Sequence, residues 1–574
     1  MSELSPEQRT IVGLPLSPIC VSACAGSGKT RTAVHRLYRM RQSLSGKCGI
    51  VALLSFSNVA VNTFRNDYFA LTRAKGVAAR PSAVEIETVD GFLTANILRP
   101  HAYKAMGCTR TPFLVGGTEP FLKGFKVFGG TRSHDIGNLD AHLKDGEFEF
   151  TCDEGYASIS ITPSNALKAI DKLGAVGAYT HSLGRYWAVR TLERNPYLLR
   201  ALARRYPHIL IDEAQDIGPE HQFLLEMLIK SGTQLSLIGD PHQGIYEFSG
   251  ADGQFLRAYG AHEGVSPQGL TVNYRSVPII VEVANKLSGR SDIADRTPPS
   301  NLNGAYYIPY RKAEKDKLLA AYESMLASAD IDAKDAVILC RSTNWVEDWR
   351  GGGKAQGQGI VRSFIEATIK RDKLGRFDEA FDKACKDIVG LLAEDHADLV
   401  AVLKRGLPRV TAIPLRRVIW SFVRDADNGL PSGKLLAKSQ WHPLLKARLL
   451  ALLQRLEIEF LLAPADSVGQ KLANKALFDA PIIELSDLAS GQGELVRVST
   501  VHQVKGESIG AVMYIADKAQ VRNMLDGTGT EIGRIGYVAV TRARNLFVLA
   551  VPENCVEDFE SEFAACGLLR AGSS

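Results

Sequence analysis

Residues 22–30 read SACAGSGKT, directly after the apolar run PICV and directly before TRTAVHRLYRM, which has helical spacing. Few folds accommodate an apolar strand that must turn through glycines into a helix. Gly26 and Gly28 let the backbone curl so that successive N–H groups point inward around phosphate oxygens, at the N-terminus of the next helix. Ala25 and Ser27 lie in the same turn; Lys29 supplies a point charge for terminal phosphates, and Thr30 a hydroxyl for Mg²⁺. The strict pattern G-x-x-x-x-G-K-[ST] wants glycine where this chain has Ala23. That position is a strand end, which needs a small residue but no positive φ. The loop predicts a nucleotide site with Mg²⁺ beside the phosphates. Cys24 has two readings, a redox-sensitive thiol or a small loop-filling side chain.

Apolar runs that end in polar clusters recur downstream. PICVSA (18–23), GIVALLSFS (49–57), AVEIETVDGF (83–92), HILIDEAQD (208–216) and QLSLIGDPHQ (234–243) form one set. AYYIPYR (305–311), DAVILCRS (335–342), LVRVSTVH (495–502), GAVMYIAD (510–517) and NLFVLAVP (545–552) form a second. Continuous apolar strands alternating with helices predict α/β units with buried parallel sheets, whose ligands sit at the carboxyl ends of the strands. At 574 residues the chain exceeds one core, and roughly three to five units are expected. The net charge of +5 permits a polyanionic partner without demonstrating one. The bases Lys404, Arg405, Arg409, Arg416, Arg417 and Arg424 either face nucleic acid or line a solvated helix face. Nine scattered cysteines without a C-x-x-C pair argue against structural zinc or an iron–sulfur cluster and read as reduced thiols. No apolar run approaches the ~20 residues of a membrane span, and MSELSPEQRT carries no signal-peptide core. The expectation is a cytoplasmic protein without a membrane partner.

The second chemical motif is ILIDEAQD, which sets Asp212 and Glu213 just after a strand. Adjacent carboxylates there divide labour: Asp212 holds Mg²⁺ and Glu213 polarises the attacking water. Together with IGDPHQGIYEFSGAD (238–252), LTVNYRS (270–276), STVHQVKGES (499–508) and RIGYVAVTRAR (534–544), these blocks make the chain resemble the UvrD/Rep-like superfamily 1 DNA helicases, in the family's order. The resemblance implies two RecA-like P-loop parallel-sheet domains, each with a mainly helical insertion. It places the first motor domain at 1–97 and 186–268 around an insertion at 98–185. The second falls at 269–345 and 490–574, around an insertion at 346–489.

It also implies roles. Gln8 resembles the adenine-reading glutamine; Arg31 and Tyr274 resemble the pair that sandwiches the base. Gln243 resembles the γ-phosphate sensor, and Arg275 and Arg542 the arginines that reach that phosphate from the second domain. Phe56, Ser57 and Asn58 resemble a single-strand contact loop, Tyr246 and Phe248 the aromatics that stack on bases, and Thr500 and His502 residues linking DNA to nucleotide. The implied activity is ATP-driven 3′ to 5′ movement on single-stranded DNA and unwinding of tailed duplex. Three departures stand out: Ser249 where arginine is usual, Asp90 where histidine is common, and KGES in place of K-G-L-E. The last puts Ser508 at the ribose-contacting glutamate, with Glu507 one residue away. Short relatives occur beside nucleases in anti-phage systems such as Gabija. The alternative reading is therefore a helicase-like ATPase sensor that gates a partner nuclease.

Overall fold

The computed structural model describes residues 3–44, 48–76, 83–116, 120–130, 132–153, 158–246, 250–349, 359–372, 375–393, 399–400, 403, 412–474, 477, 479, 481–482 and 496–572. The chain divides into two compact units, residues 1–343 with 498–574, and residues 344–497.

The first unit holds two six-stranded sheets. In one, β1 (Ile19–Ala23), β2 (Val51–Ser55), β3 (Val84–Thr88), β4 (His208–Ile211), β5 (Gln234–Gly239) and β6 (Ser266–Leu270) lie in the order β6-β1-β5-β4-β2-β3. Every pairing is parallel. All residues of β2 and β4 are buried, as strands covered on both faces must be. Parallel strands align their carboxyl ends, so the loops after β1, β2, β4 and β5 open on one edge of the sheet. The second sheet contains β7 (Gly304–Tyr310), β8 (Ala336–Cys340), β9 (Arg497–Thr500), β10 (Ile509–Ile515), β11 (Ala543–Pro552) and β12 (Leu569–Arg570), in the order β9-β8-β10-β11-β7-β12. Among the described residues, no helix is long and apolar enough to cross a membrane.

One ionisable ring is sealed into the first sheet. His208 is buried, with Nε2 2.8 Å from Ser236 Oγ and no partner at Nδ1 among the described residues. Burial, then the nearby Arg36 charge, pushes its pKa down to about 3. The unfolded chain therefore binds a proton here from pH 6.5 downward while the folded one does not. Stability is full above pH 6.5 and falls by up to ~1.4 kcal/mol per pH unit as pH drops toward 3. His208→Gln should flatten that slope by one proton, read from urea unfolding between pH 7 and 4.5.

The segment 98–185 differs from its expected helical character. Helices Arg99–Met106, Pro163–Ala175 and His181–Glu193 are joined by antiparallel strands Lys126–Gly129 with Arg132–Asp135, and Leu139–Lys144 with Glu147–Asp153 and Ser158–Ile161. The reason is legible in EFEFTCD, whose residues alternate exposed and buried with period two. The hairpin turn before it uses Asp145 and Gly146, both at positive φ.

The 344–497 unit is helical where described, with Gly359–Asp372, Phe377–Val389, Ala412–Arg424 and His442–Phe460 around Phe364, Phe381, Trp441 and Leu449. Arg371 is buried there and donates to the Val423, Leu430 and Pro431 carbonyls. Of the basic residues singled out above, Arg416 lies over the Phe381 ring and Arg417 and Arg424 are exposed. Lys404, Arg405 and Arg409 lie outside the described residues.

Candidate active site and nucleic-acid interface

The glycine loop leaves β1 and ends on the helix Lys29–Ser43. Gly26 (φ 72°) and Gly28 (φ 80°) adopt the left-handed region. A Cβ on Gly26 would meet Arg275 Cβ at 2.5 Å, and one on Gly28 would meet Gln8 Nε2 at 2.6 Å. Both glycines are therefore fixed by conformation and by space. Ala23 needs neither, since it completes β1 opposite Leu270. Ala25 and Ser27 are buried, and Ser27 Oγ donates to the Cys24 carbonyl at 2.8 Å. Burial, then Asp292, pushes the Cys24 thiol up to about 12, which leaves a loop-filling side chain and no thiolate at neutral pH.

Gln8 is buried and holds the loop: its Nε2 donates to the Ser27 carbonyl at 2.9 Å, while its Oε1 accepts from the Ser5 N–H. Tyr274 donates its N–H to the Gly26 carbonyl and keeps its ring exposed. Lys29, Thr30 and Arg31, the first three residues of the helix, are half-buried.

Asp212 and Glu213 follow β4. Glu213 has φ 55° and ψ 40°, a left-handed conformation rare for a side chain of its kind. Burial and the Glu213 charge push the Asp212 carboxyl up. Burial opposes ionisation of Glu213 too, but Lys29 and Lys505 outweigh it and hold that carboxyl below its ordinary range. Neighbouring acids driven apart in this way suit different tasks. Asp212 Oδ1 is buried without a hydrogen-bond partner among the described residues, an orphaned acceptor that fits a cation. Among those residues no group of three His, Cys, Asp or Glu is arranged to hold a metal. A cation here would rest on Asp212, the Thr30 hydroxyl and the nucleotide's own oxygens.

Residues near the second sheet close on this loop. Arg275 Nη1 donates to the Thr541 carbonyl at 3.0 Å. Arg542 Nη2 lies 3.2 Å from Gln243 Oε1, and Gln243 Nε2 and Arg542 Nη2 each lie 3.4 Å from Thr541 Oγ1. Burial, then Arg542, pushes Arg275 down to about 9, and burial lowers Arg542. Two desolvated guanidinium groups beside each other favour an incoming anion. The Arg542 Nη1 also donates to the Glu507 carbonyl at 3.3 Å, while Ser508 is exposed.

The expected DNA residues fall into two places. His502 lies 3.0 Å from the Ile245 carbonyl, and its ring is 5.8 Å from that of Tyr246. Thr500 is buried and its Oγ1 accepts from the Gln503 N–H. Phe56, Ser57 and Asn58 form a separate group after β2. Ser57 caps the helix Asn58–Ala74 by accepting from the Ala60 N–H, and Asn58 is exposed. Phe248 and Ser249 lie outside the described residues.

Three residues join the site only through the fold: Lys505, Asp216 and Thr541. Lys505 Nζ reaches both carboxylate oxygens of Asp216, at 2.6 and 2.7 Å, and stands 4.7 Å over the Tyr246 ring. Thr541 gathers Gln243 and both arginines. Lys505 and Asp216 lie inside quoted motifs, yet nothing in a sequence pairs residues 289 positions apart.

The model of the UvrD/REP helicase N-terminal domain matches residues 4–136 and 178–261. The unmatched interval contains the three-stranded antiparallel sheet and the helix Pro163–Ala175. The ATP-dependent DNA helicase UvrD2 of Mycobacterium tuberculosis is 26% identical over 304 residues, 50% of this chain and 43% of that protein. The ATP-dependent DNA helicase PcrA of Staphylococcus aureus is 23% identical over 459 residues, 75% of this chain and 58% of that protein. The chain thus spans about half the length of the curated relatives it matches.

Proposed function

We propose that this chain is a UvrD/Rep-like superfamily 1 helicase, an ATP-driven translocase that moves 3′ to 5′ on single-stranded DNA and unwinds tailed duplex. The observation that carries this reading is the contact of Arg275 and Arg542 with Thr541 and Gln243 beside the glycine loop. Such an arrangement makes nucleotide occupancy and closure of the two sheets one event.

In this reading residues 1–97 with 186–268 form one motor domain and 269–345 with 490–574 the other. Lys29 and the loop N–H groups bind the ATP phosphates, Arg31 and Tyr274 flank the base, and Glu213 takes the proton of the attacking water. Thr30 and Asp212 hold Mg²⁺, which supplies charge neutralisation at the phosphates. Gln243, Arg275 and Arg542 bear on the γ-phosphate, so its loss releases the second domain. Phe56 and Tyr246 contact the strand on either side of that movement, with Ser57, Asn58, Phe248, Thr500 and His502 completing the path. Stacking on base faces is sequence-tolerant, as a motor requires.

The test is ATPase activity with and without oligo-dT, alongside displacement of a 3′-tailed duplex. Stimulation with displacement is expected. Stimulation without displacement would replace the unwinding motor with a gating ATPase acting on a partner nuclease. Hydrolysis indifferent to oligo-dT would remove DNA from the function.

A further inference from the structure

Three segments that the sequence keeps apart meet beside Phe56. Asp90 is in the short helix Val89–Leu93, which Thr88 caps by accepting from the Gly91 N–H. His221 is in the first turn of Pro219–Lys230, the helix that follows the 212–216 loop. His221 Nε2 lies 2.9 Å from Asp90 Oδ1, with the imidazole 6% exposed and the Asp90 side chain 41% exposed. An ionised carboxylate only accepts, so Nε2 carries the proton and the tautomer is fixed. Phe56, the first residue past β2, sets its ring against that imidazole, centroids 5.7 Å apart and planes at 74°. Arg185 and His181 also lie within electrostatic reach of Asp90.

We propose that His221, oriented by Asp90, is a positioning residue for Phe56. The proposal rests on the reading of Phe56 as a strand-contacting residue. Phe56 stands at the edge of the core, followed by exposed Ser57, Asn58 and Val59. The ring packs against the core on one side, and the edge-on imidazole sets its angle. The hydrogen bond to the carboxylate fixes which ring nitrogen faces Asp90. Because the His221 helix continues directly from the loop of Asp212, Glu213 and Asp216, a shift of that loop moves His221 and carries Phe56 with it. Nucleotide state then reaches the strand within the first sheet alone, independently of the second.

The experiment measures the oligo-dT concentration for half-maximal ATPase stimulation. His221→Ala and Asp90→Ala should each raise it roughly three- to tenfold, the scale of one aromatic edge contact, with basal hydrolysis unchanged. In a Phe56→Ala background, His221→Ala should add nothing further, because the lost contact is already gone. His221→Gln can keep a donor toward Asp90 while it removes the aromatic edge, so it should raise the value as His221→Ala does, and it stays informative if an alanine variant does not fold. An unchanged half-maximal concentration in His221→Ala, or an equal effect with and without Phe56, would overturn the positioning role. A wild-type ATPase that ignores oligo-dT is a different result, and removes the strand-contact reading beneath it.

Discussion

Glu213→Gln should lower the turnover number for ATP by on the order of 10²–10⁴, the range a positioned general base supplies, while ATP and single-stranded DNA still bind. The expectation starts from the backbone. Holding a side-chain-bearing residue in the left-handed region costs about 1–2 kcal/mol, and Glu213 does so at the end of a fully buried strand. Strain of this kind persists only where the surroundings over-determine it, and here it aims a carboxylate at the space beside Lys29. Glutamine matches glutamate in shape and bears the same backbone cost, so the fold is unchanged. What disappears is the charge: Lys29 and Lys505 hold Glu213 ionised against its burial, and an amide cannot take a proton from water. Lys29→Ala provides the contrast, since it should lose nucleotide affinity together with turnover. Steady-state hydrolysis and equilibrium binding of a fluorescent ATP analogue separate the two outcomes. Normal hydrolysis by Glu213→Gln would take the base role away from this residue.

The strands that carry the candidate site were legible because parallel strands buried on both faces have to be continuous apolar runs. HILI, VALLS and QLSLIG stand out for that reason, and the loops that follow them carry the quoted motifs. Ser266–Leu270 was not legible. It is an outer strand of the sheet, partly exposed, and SPQGL contains the proline and glycine that usually mark a turn. The hairpins of 126–161 carry a period-two alternation, which the helical insertion implied by the resemblance does not accommodate. In the site, residue types and order were readable, whereas long-range partners were not. Gln8 shows the gap well. Its place near the N-terminus is plain in the sequence, yet its hold on the Ser27 carbonyl depends on how the first helix packs over the loop. Asp90 shows it again: a departure in one segment acquires meaning only when His221 arrives from another.

The second large effect is expected at Lys505. This side chain and its partner Asp216 are both buried, at 9% and 5% exposure, and the ammonium meets both carboxylate oxygens. Removing one member of such a pair leaves the other charge uncompensated, a loss of about 3–5 kcal/mol. Lys505→Met should therefore shift urea unfolding strongly toward instability at pH 8. The loss should also depend on pH with a definite sign. Burial already pushes the Asp216 carboxyl up to about 6, against 3.8 unfolded, even with Lys505 beside it; without the lysine it rises further. A carboxyl raised in the folded state binds a proton that the unfolded chain does not, so stability falls as pH climbs from 3.8 through the raised value. Lys505→Met should accordingly be closer to wild type at pH 5 than at pH 8, and Lys505→Met/Asp216→Asn should recover most of the loss at both. The pair also joins the 499–508 segment to the 212–216 loop under the ring of Tyr246. The double variant, once stable, isolates that link: oligo-dT should raise its hydrolysis over its own basal rate by a smaller factor than in wild type. Full stimulation in the stable double variant would confine Lys505 to holding the fold.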